Sequence, residues 1–115
     1  MDILETNRTL VQSLEKVHVI QISCGAAFTA CITDAGDVWT FGDNKNGQLG
    51  LGHKENQASP QLVAPFSVRI ISVSCGNYHT VCIDEEKHLW GFGKNEHGQL
   101  GGYQCSDQLT SVRSI

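Results

Sequence analysis

Three things are scarce in this chain of 115 residues, and each scarcity closes off a class of function. Basic residues come first: eight Lys and Arg stand scattered against twelve Asp and Glu, for a formal net charge of -4. Neutralising a nucleic-acid backbone takes a clustered basic patch, so direct nucleic-acid binding is not expected. Apolar runs are short as well. None approaches the roughly 20 residues that cross a bilayer, so no membrane span is expected. Positive charge is missing at the start, where Met1, Asp2 and Glu5 stand in place of the basic opening of a secretory signal. The chain therefore reads as intracellular, cytoplasmic and/or nuclear, and Asn7-Arg8-Thr9 reads as a chance match to the glycosylation sequon.

Recognisable reactive clusters are equally sparse. Five cysteines are an odd number, and Cys24, Cys31, Cys75 and Cys82 sit inside apolar, strand-like runs; small buried thiols in a reducing compartment account for them better than disulfides do. Six residues separate Cys24 from Cys31 and Cys75 from Cys82, against about two to four in zinc knuckles. His18, His53, His88 and His97 fall in no ligand spacing, and Cys105 has no neighbouring His or helix start to activate it. The loop Asp43-Asn44-Lys45-Asn46-Gly47 starts like a calcium loop, but Lys45 occupies an oxygen-ligand position. Gly47, Gly50 and Gly52 are followed by no Gly-Lys-Ser/Thr that would make a phosphate cradle. No catalytic residue, metal or cofactor is assigned, and an active site within these 115 residues is not expected.

What the chain does have is repetition. Cys24 to Gly50 realigns on Cys75 to Gly101, 51 positions on, with 13 identities in 27 residues. The shared residues are Cys24/Cys75, Gly25/Gly76, Thr29/Thr80, Cys31/Cys82, Ile32/Ile83, Trp39/Trp90, Phe41/Phe92, Gly42/Gly93, Asn44/Asn95, Gly47/Gly98, Gln48/Gln99, Leu49/Leu100 and Gly50/Gly101. A period of this length marks one supersecondary unit per copy, with apolar faces buried by stacking on neighbours. Such arrays usually need about three or more units. Two copies alone leave half the faces without a neighbour, so stability of the isolated pair is doubtful from sequence.

Within each copy the pattern is β. Val17 to Ser23 and Val68 to Ser74 are almost continuously β-branched, as a strand covered on both faces would be. Phe28 to Thr33 and Tyr78 to Asp84 follow, then the turns Asp34-Ala35-Gly36 and Glu85-Glu86-Lys87, then third strands over Val38 to Phe41 and Leu89 to Phe92. A period of two sets Trp39 with Phe41, and Trp90 with Phe92, on one face. Gly- and Asn-rich loops come next, Gly42 to Gly52 and Gly93 to Gly102, with the invariant Gly-Gln-Leu-Gly at their centre. A fourth strand is suggested at Pro60 to Val63, with a shortened counterpart near Gln108-Leu109 and a fainter one at Leu10-Val11. Residues 1–16 are thus either the last strand of a preceding unit or, through Leu10, Val11 and Leu14, a short amphipathic helix. Lys87 replaces Gly36, which costs about 1 kcal/mol if that turn needs a left-handed backbone.

Four short antiparallel strands per unit, with one Trp each, predict radial repetition. The expected fold is all-β: a partial β-propeller of about two four-stranded antiparallel blades, with residues 1–16 as an N-terminal segment, 17–66 as the first blade and 67–115 as the second. The motif Cys-Gly-x-x-x-Thr, then Val or Leu-Trp-x-Phe-Gly, then x-Asn-x-x-Gly-Gln-Leu-Gly resembles the repeat of the regulator of chromosome condensation family over residues 19–52 and 70–102. The resemblance implies a seven-bladed propeller, of which this chain supplies fewer than a third. It carries over a structural repeat signature of Cys24, Gly25, Trp39, Gly42, Gly47, Gln48, Leu49 and Gly50, and of Cys75, Gly76, Trp90, Gly93, Gly98, Gln99, Leu100 and Gly101. It implies a protein-interaction module whose partner, in the founding member, is the small GTPase Ran, acted on by guanine nucleotide exchange. Two other roles stay open: a partner-recruiting segment of a larger enzyme such as a HECT-type ubiquitin ligase, and self-association through exposed blade faces. A light-sensing relative of the family uses tryptophans in a Gly-Trp-Arg-His-Thr motif. Gly25 to Thr29 hold Ala, Ala and Phe there, and Gly76 to Thr80 hold Asn, Tyr and His, so Trp39 and Trp90 are read as packing residues.

Overall fold

The computed structural model describes residues 17–63, 66, 68–95 and 108–114. They form two antiparallel sheets of four strands each, in the strand order β1-β2-β3-β4 and β5-β6-β7-β8. The first blade is β1 (Val19–Cys24), β2 (Phe28–Thr33), β3 (Val38–Gly42) and β4 (Gln57–Leu62); the second is β5 (Ile70–Cys75), β6 (His79–Asp84), β7 (Leu89–Gly93) and β8 (Gln108–Ser114). The all-β, two-blade architecture read from the repeat is the one observed.

The registers repeat as the sequence does. Cys31 pairs with Trp39 and Cys82 with Trp90; Thr29 pairs with Phe41 and Thr80 with Phe92. Each first strand carries a bulge at the same place, between Val19 and Gln21 and between Ile70 and Ser72. A bulge adds one residue to one strand and locally sharpens its twist.

Two expectations need correcting. The β-branched run of β1 is mostly exposed, Ile20 and Ile22 included, while the equivalent β5 is buried at Ile70 and Val73. Composition alone cannot separate them, because what buries β5 is a neighbouring blade. The last strand is not shortened either: β8 is seven residues long and pairs with β7 from Leu89↔Ser114 to Gly93↔Gln108. At the turns, Lys87 has φ 70 where Gly36 has φ 86, so both turns need the left-handed conformation. Leu10-Val11, the sequon at Asn7, His97 and Cys105 lie outside the described residues.

The largest apolar cluster lies between the blades. Ala30, Ile32, Val38 and Val63 of the first blade meet Ile70, Val73, Cys82 and Phe92 of the second, with Trp90 and Phe66 packed against them edge to face at 5.3 Å. A smaller cluster of Val19 and Cys31, flanked by Val17, Trp39 and Phe41, occupies the opposite face of the first blade.

Candidate functional site: the joint between blades

The loop after β3 is built around Asn44, which is fully buried. Its backbone N–H donates to Asn56 Oδ1 at 2.9 Å, and its side-chain amide donates to the carbonyls of His53 and Glu55 at 2.9 and 3.0 Å. Its own Oδ1 accepts the N–H of Leu49 at 3.0 Å. One amide side chain thereby satisfies backbone groups across a loop without regular structure, as buried polar groups require. Gln48, also buried, accepts the N–H of Asn46 at 2.8 Å.

The loop held in this way is the socket for the second blade. Thr40 Oγ1 of the same blade donates to the Leu49 carbonyl at 2.8 Å, and Thr80 Oγ1 of the next blade donates to the Gln48 carbonyl, also at 2.8 Å. Gly50, at φ 71, lies on the ring of Phe92 so closely that a Cβ would come within 2.8 Å of it. Below the loop, β1 reaches β5 through side chains. Gln21 Oε1 accepts the N–H of Val73 at 2.6 Å, Ser23 Oγ accepts that of Cys75 at 3.0 Å, and the Cys75 thiol donates to the Ser23 carbonyl at 3.5 Å.

Part of the repeat signature therefore lies along this joint. Gly47, Gln48, Leu49 and Gly50 form its upper edge, while Cys75, Trp90 and Phe92 form the surface that they cover. Gly25 and Gly76 lie under the rings of Phe28 and His79, so the ring at that position acts as a cover whichever residue supplies it. Gly42 and Gly93 end β3 and β7, and Cys24 lies exposed on β1. Gly98, Gln99, Leu100 and Gly101 lie outside the described residues. Sequence reading gave no role to Gln21, Ser23 or Asn44. Asn44 could have been found, since it repeats as Asn95, which is also buried; Gln21 could not, because Ser72 stands at its counterpart.

Cys31, Cys75 and Cys82 are structural thiols, whereas Cys24, expected to be buried, is exposed because among the described residues no blade covers β1 as the first blade covers β5. Burial pushes Cys82 up to about 12 and Cys31 up to about 11, and it raises Cys75 as well. A thiol so protonated at neutral pH is a poor nucleophile. Among the described residues no group of three or more His, Cys, Asp or Glu could hold a metal ion, and no helix is long and apolar enough to cross a membrane.

One carboxylate organises the far end of the second blade. Asp84, buried, accepts the indole N–H of Trp90 at 2.9 Å and the backbone N–H groups of Glu86 and His88 at 2.8 and 3.0 Å. Burial alone would raise its pKa, but these donors and the His88 charge outweigh burial and hold the carboxyl below its ordinary value of 3.8. Since the folded form binds the proton less readily, Asp84 contributes stability above that ordinary value and loses it as pH falls through the lower folded value. Asp84→Asn is expected to reduce the loss of thermal stability on acidification below about pH 4; an unchanged acid limb of the midpoint-pH curve would contradict this. In the first blade Thr33 takes the place of Asp84, accepting only the N–H of Asp37 at 3.4 Å, and the buried Trp39 Nε1 has no partner among the described residues. Thr33→Asp is accordingly expected to stabilise the chain by about 1 kcal/mol, less any repulsion from Asp34 and Asp37, as read from urea midpoints.

A family model described as "Regulator of chromosome condensation (RCC1) repeat" matches residues 35–83, and a second of the same description matches residues 19–48 and 70–99. Among curated proteins, the chain is 34% identical over 95 residues to the mouse E3 ubiquitin-protein ligase HERC2, covering 80% of this chain and 2% of that protein. It is 36% identical over 104 residues to the Arabidopsis thaliana ultraviolet-B receptor UVR8, covering 90% of this chain and 24% of that one. It is 37% identical over 106 residues to the human probable E3 ubiquitin-protein ligase HERC6, covering 90% and 10%. Human WBSCR16 superposes with a TM-score of 0.79 at 28% identity over 87% of this chain and 26% of its own. Yeast RCC1 (Prp20) superposes with a TM-score of 0.78 at 16% identity over 88% and 25%, which shows a shared fold. The chain spans no more than about a quarter of any of these proteins. With two matched repeats and two four-stranded blades, the chain belongs to the regulator of chromosome condensation (RCC1) repeat family.

Proposed function

We propose that this chain works as a protein-interaction segment, presenting a surface on the loops at one end of its two blades and leaving catalysis to other parts of any larger assembly. The observation that carries this reading is a division of labour between residues. The shared residues Gln48, Gly50, Cys75, Thr80 and Phe92 are engaged in the joint, whereas the loops beside it differ. Backbone bonds from Ala26 to Asn77 at 3.0 Å, Asp43 to Ala27 at 2.9 Å and Lys94 to Tyr78 at 2.8 Å gather those loops at one end. Tyr78 replaces Ala27 there and Lys94 replaces Asp43. Tyr78 is 42% exposed, with the Lys94 ammonium 5.4 Å from its ring centroid. Tyr is among the residue types that most often dominate binding energy at interfaces, and a cation over the ring is attracted to its face.

A small GTPase is the first partner to try. Yeast Prp20p, similar in fold, has binding properties to Gsp1p and histones. Nucleotide exchange is proposed only for a complete propeller. In the test, a Ran-type GTPase, loaded with GDP or stripped of nucleotide, is passed over the immobilised chain by interferometry, while release of a fluorescent GDP analogue is followed in solution. Binding that Tyr78→Ala weakens about tenfold, without faster GDP release, is the expected result. Equal binding by Tyr78→Ala would remove this surface from the reading. Identity to HERC2 and HERC6 favours a second reading, in which the same surface recruits a partner to a ubiquitin ligase. A HECT-type catalytic domain in the same open reading frame would select it. The described thiols are free, which supports placing this activity in the reducing cytoplasm or nucleus.

A further inference from the structure

The chain holds six asparagines, and one of them, Asn46, is followed by glycine. In that dipeptide the side-chain amide is most open to attack by the next backbone nitrogen, because glycine has no Cβ to obstruct the approach. Asn46 and Gly47 stand in the middle of the loop that receives the second blade. The Gly47 N–H donates to the Asn44 carbonyl at 3.1 Å, closing a turn in which Gly47 takes φ 77. The Asn46 N–H donates to Gln48 Oε1 at 2.8 Å, and the Gly50 N–H donates to the Gly47 carbonyl at 3.0 Å. Gly47 is buried and Asn46 half-buried, and the next carbonyl along, that of Gln48, accepts Thr80 Oγ1 of the second blade at 2.8 Å.

We infer that Asn46 is a site of spontaneous modification, a side-chain amide that the closed joint between the blades holds back from deamidation and that an open joint releases. The Gly47 nitrogen gives up its proton to solvent base and attacks the Asn46 Cγ. A C–N bond forms, ammonia leaves from the side-chain amide, and a cyclic imide remains. Water then opens either carbonyl of the imide, giving aspartate or isoaspartate at position 46. The closed loop opposes each requirement of that attack. The proton to be lost is held by the Asn44 carbonyl, and bringing the Gly47 nitrogen onto Cγ turns the peptide plane between them, which breaks the bonds to Asn44 and to Gln48 Oε1. The loop cannot give way alone, because the Leu49 N–H is fixed to Asn44 Oδ1 and the Gln48 carbonyl to Thr80. Attack therefore proceeds from the fraction of molecules whose socket has opened, as exchange of a protected amide proton does. Isoaspartate then keeps the joint open. It carries the main chain through the former side chain, adding a methylene between positions 46 and 47, so the Gln48 carbonyl no longer stands in register with Thr80. The change lies in the joint and not on the surface around Tyr78, so the two proposals stand or fall separately.

Peptide mapping of the full chain by mass spectrometry, after incubation at mildly alkaline pH, reads the exchange of NH2 for OH at position 46 and separates the isoaspartyl form by its retention. The rate in buffer is expected to be at least about tenfold below the rate in concentrated guanidinium chloride. Thr80→Val keeps the shape of the side chain but removes the donor to the Gln48 carbonyl. It is expected to raise the rate in buffer about fivefold and to leave the rate in denaturant unchanged. Circular dichroism checks that this variant is folded. If it is not, wild type in guanidinium below its unfolding midpoint replaces it, with a rate expected to rise ahead of global unfolding. The purified isoaspartyl chain is expected to melt at a lower temperature than the unmodified chain, whereas Asn46→Asp, which changes the charge but not the length of the backbone, melts close to wild type. Absence of conversion in denaturant would overturn the site. Equal rates in buffer and denaturant, or a rate that opening the joint does not raise, would overturn the gate, and an isoaspartyl chain as stable as wild type would overturn the effect on the joint.

Discussion

Phe92→Ala is expected to destabilise the chain by about 3–5 kcal/mol, read as a fall in the urea midpoint at unchanged slope. The ring is fully buried and belongs to the cluster shared by both blades. One side lies on Gly50, where even a methyl group would come within 2.8 Å, so little can move in to fill the space. The removed ring leaves a cavity walled by a loop that is itself tied down: Leu49 by Asn44 Oδ1, and the Gln48 carbonyl by Thr80 Oγ1. A cavity whose walls cannot collapse costs most. Phe41 provides an internal control, because it has the same register against Thr29 that Phe92 has against Thr80, yet it is only half-buried. Phe41→Ala should cost about half as much or less. If the two substitutions cost the same, the joint between blades is not what gives Phe92 its weight.

Much of this was legible in the sequence, and the part that was not has a physical reason. Strand positions, turn positions and the pairing of Trp with Phe on one face follow from period-two patterning and from the repeat itself, and β2 occupies Phe28–Thr33 as read. The repeat also marked Gly47 to Gly50 as a fixed element, but not what fixes it. Asn44 acts through four hydrogen bonds to groups up to 12 residues away, and no periodicity encodes such reach. Exposure of β1 was misread because its composition matches that of β5, and burial of this edge strand is decided by the blade next to it. The link through Gln21 and Ser23 was invisible for a related reason: it joins residues 52 positions apart, and only Ser23 has a like residue, Ser74, in the other copy.

Gly93→Ala is expected to cost about 3 kcal/mol or more, and Gly42→Ala a similar amount. Positive φ does not explain this by itself, and the chain contains its own demonstration. Lys87 sits at φ 70 in a turn whose counterpart is Gly36 at φ 86, so a side chain is tolerated in a left-handed turn of this fold. Gly93 differs in two ways. Its φ of 109 lies beyond the small left-handed region open to L-residues, and its Cβ would stand 2.6 Å from the Tyr78 carbonyl and 2.8 Å from His79 Cα. Those are backbone atoms at the start of a paired strand, whereas a Cβ on Gly36 would meet first the Arg69 side chain, at 2.5 Å from Cγ, and the Arg69 Cα only at 3.1 Å. The crowding cannot be relieved locally, because Lys94 N–H donates to the same Tyr78 carbonyl at 2.8 Å and Gly93 pairs with His79. Moving that carbonyl breaks the bond, and keeping it forces the contact. Gly42 repeats the arrangement with Ala27 and Phe28, at 2.6 and 2.7 Å. Gly36→Ala, by contrast, should cost only about 1 kcal/mol. Thermal unfolding of Gly36→Ala, Gly42→Ala and Gly93→Ala side by side tests this: equal losses in all three would assign the cost to positive φ as such, whereas a large excess at Gly42 and Gly93 assigns it to what sets those two apart, a φ beyond the left-handed region together with the close approach of backbone at the end of each blade.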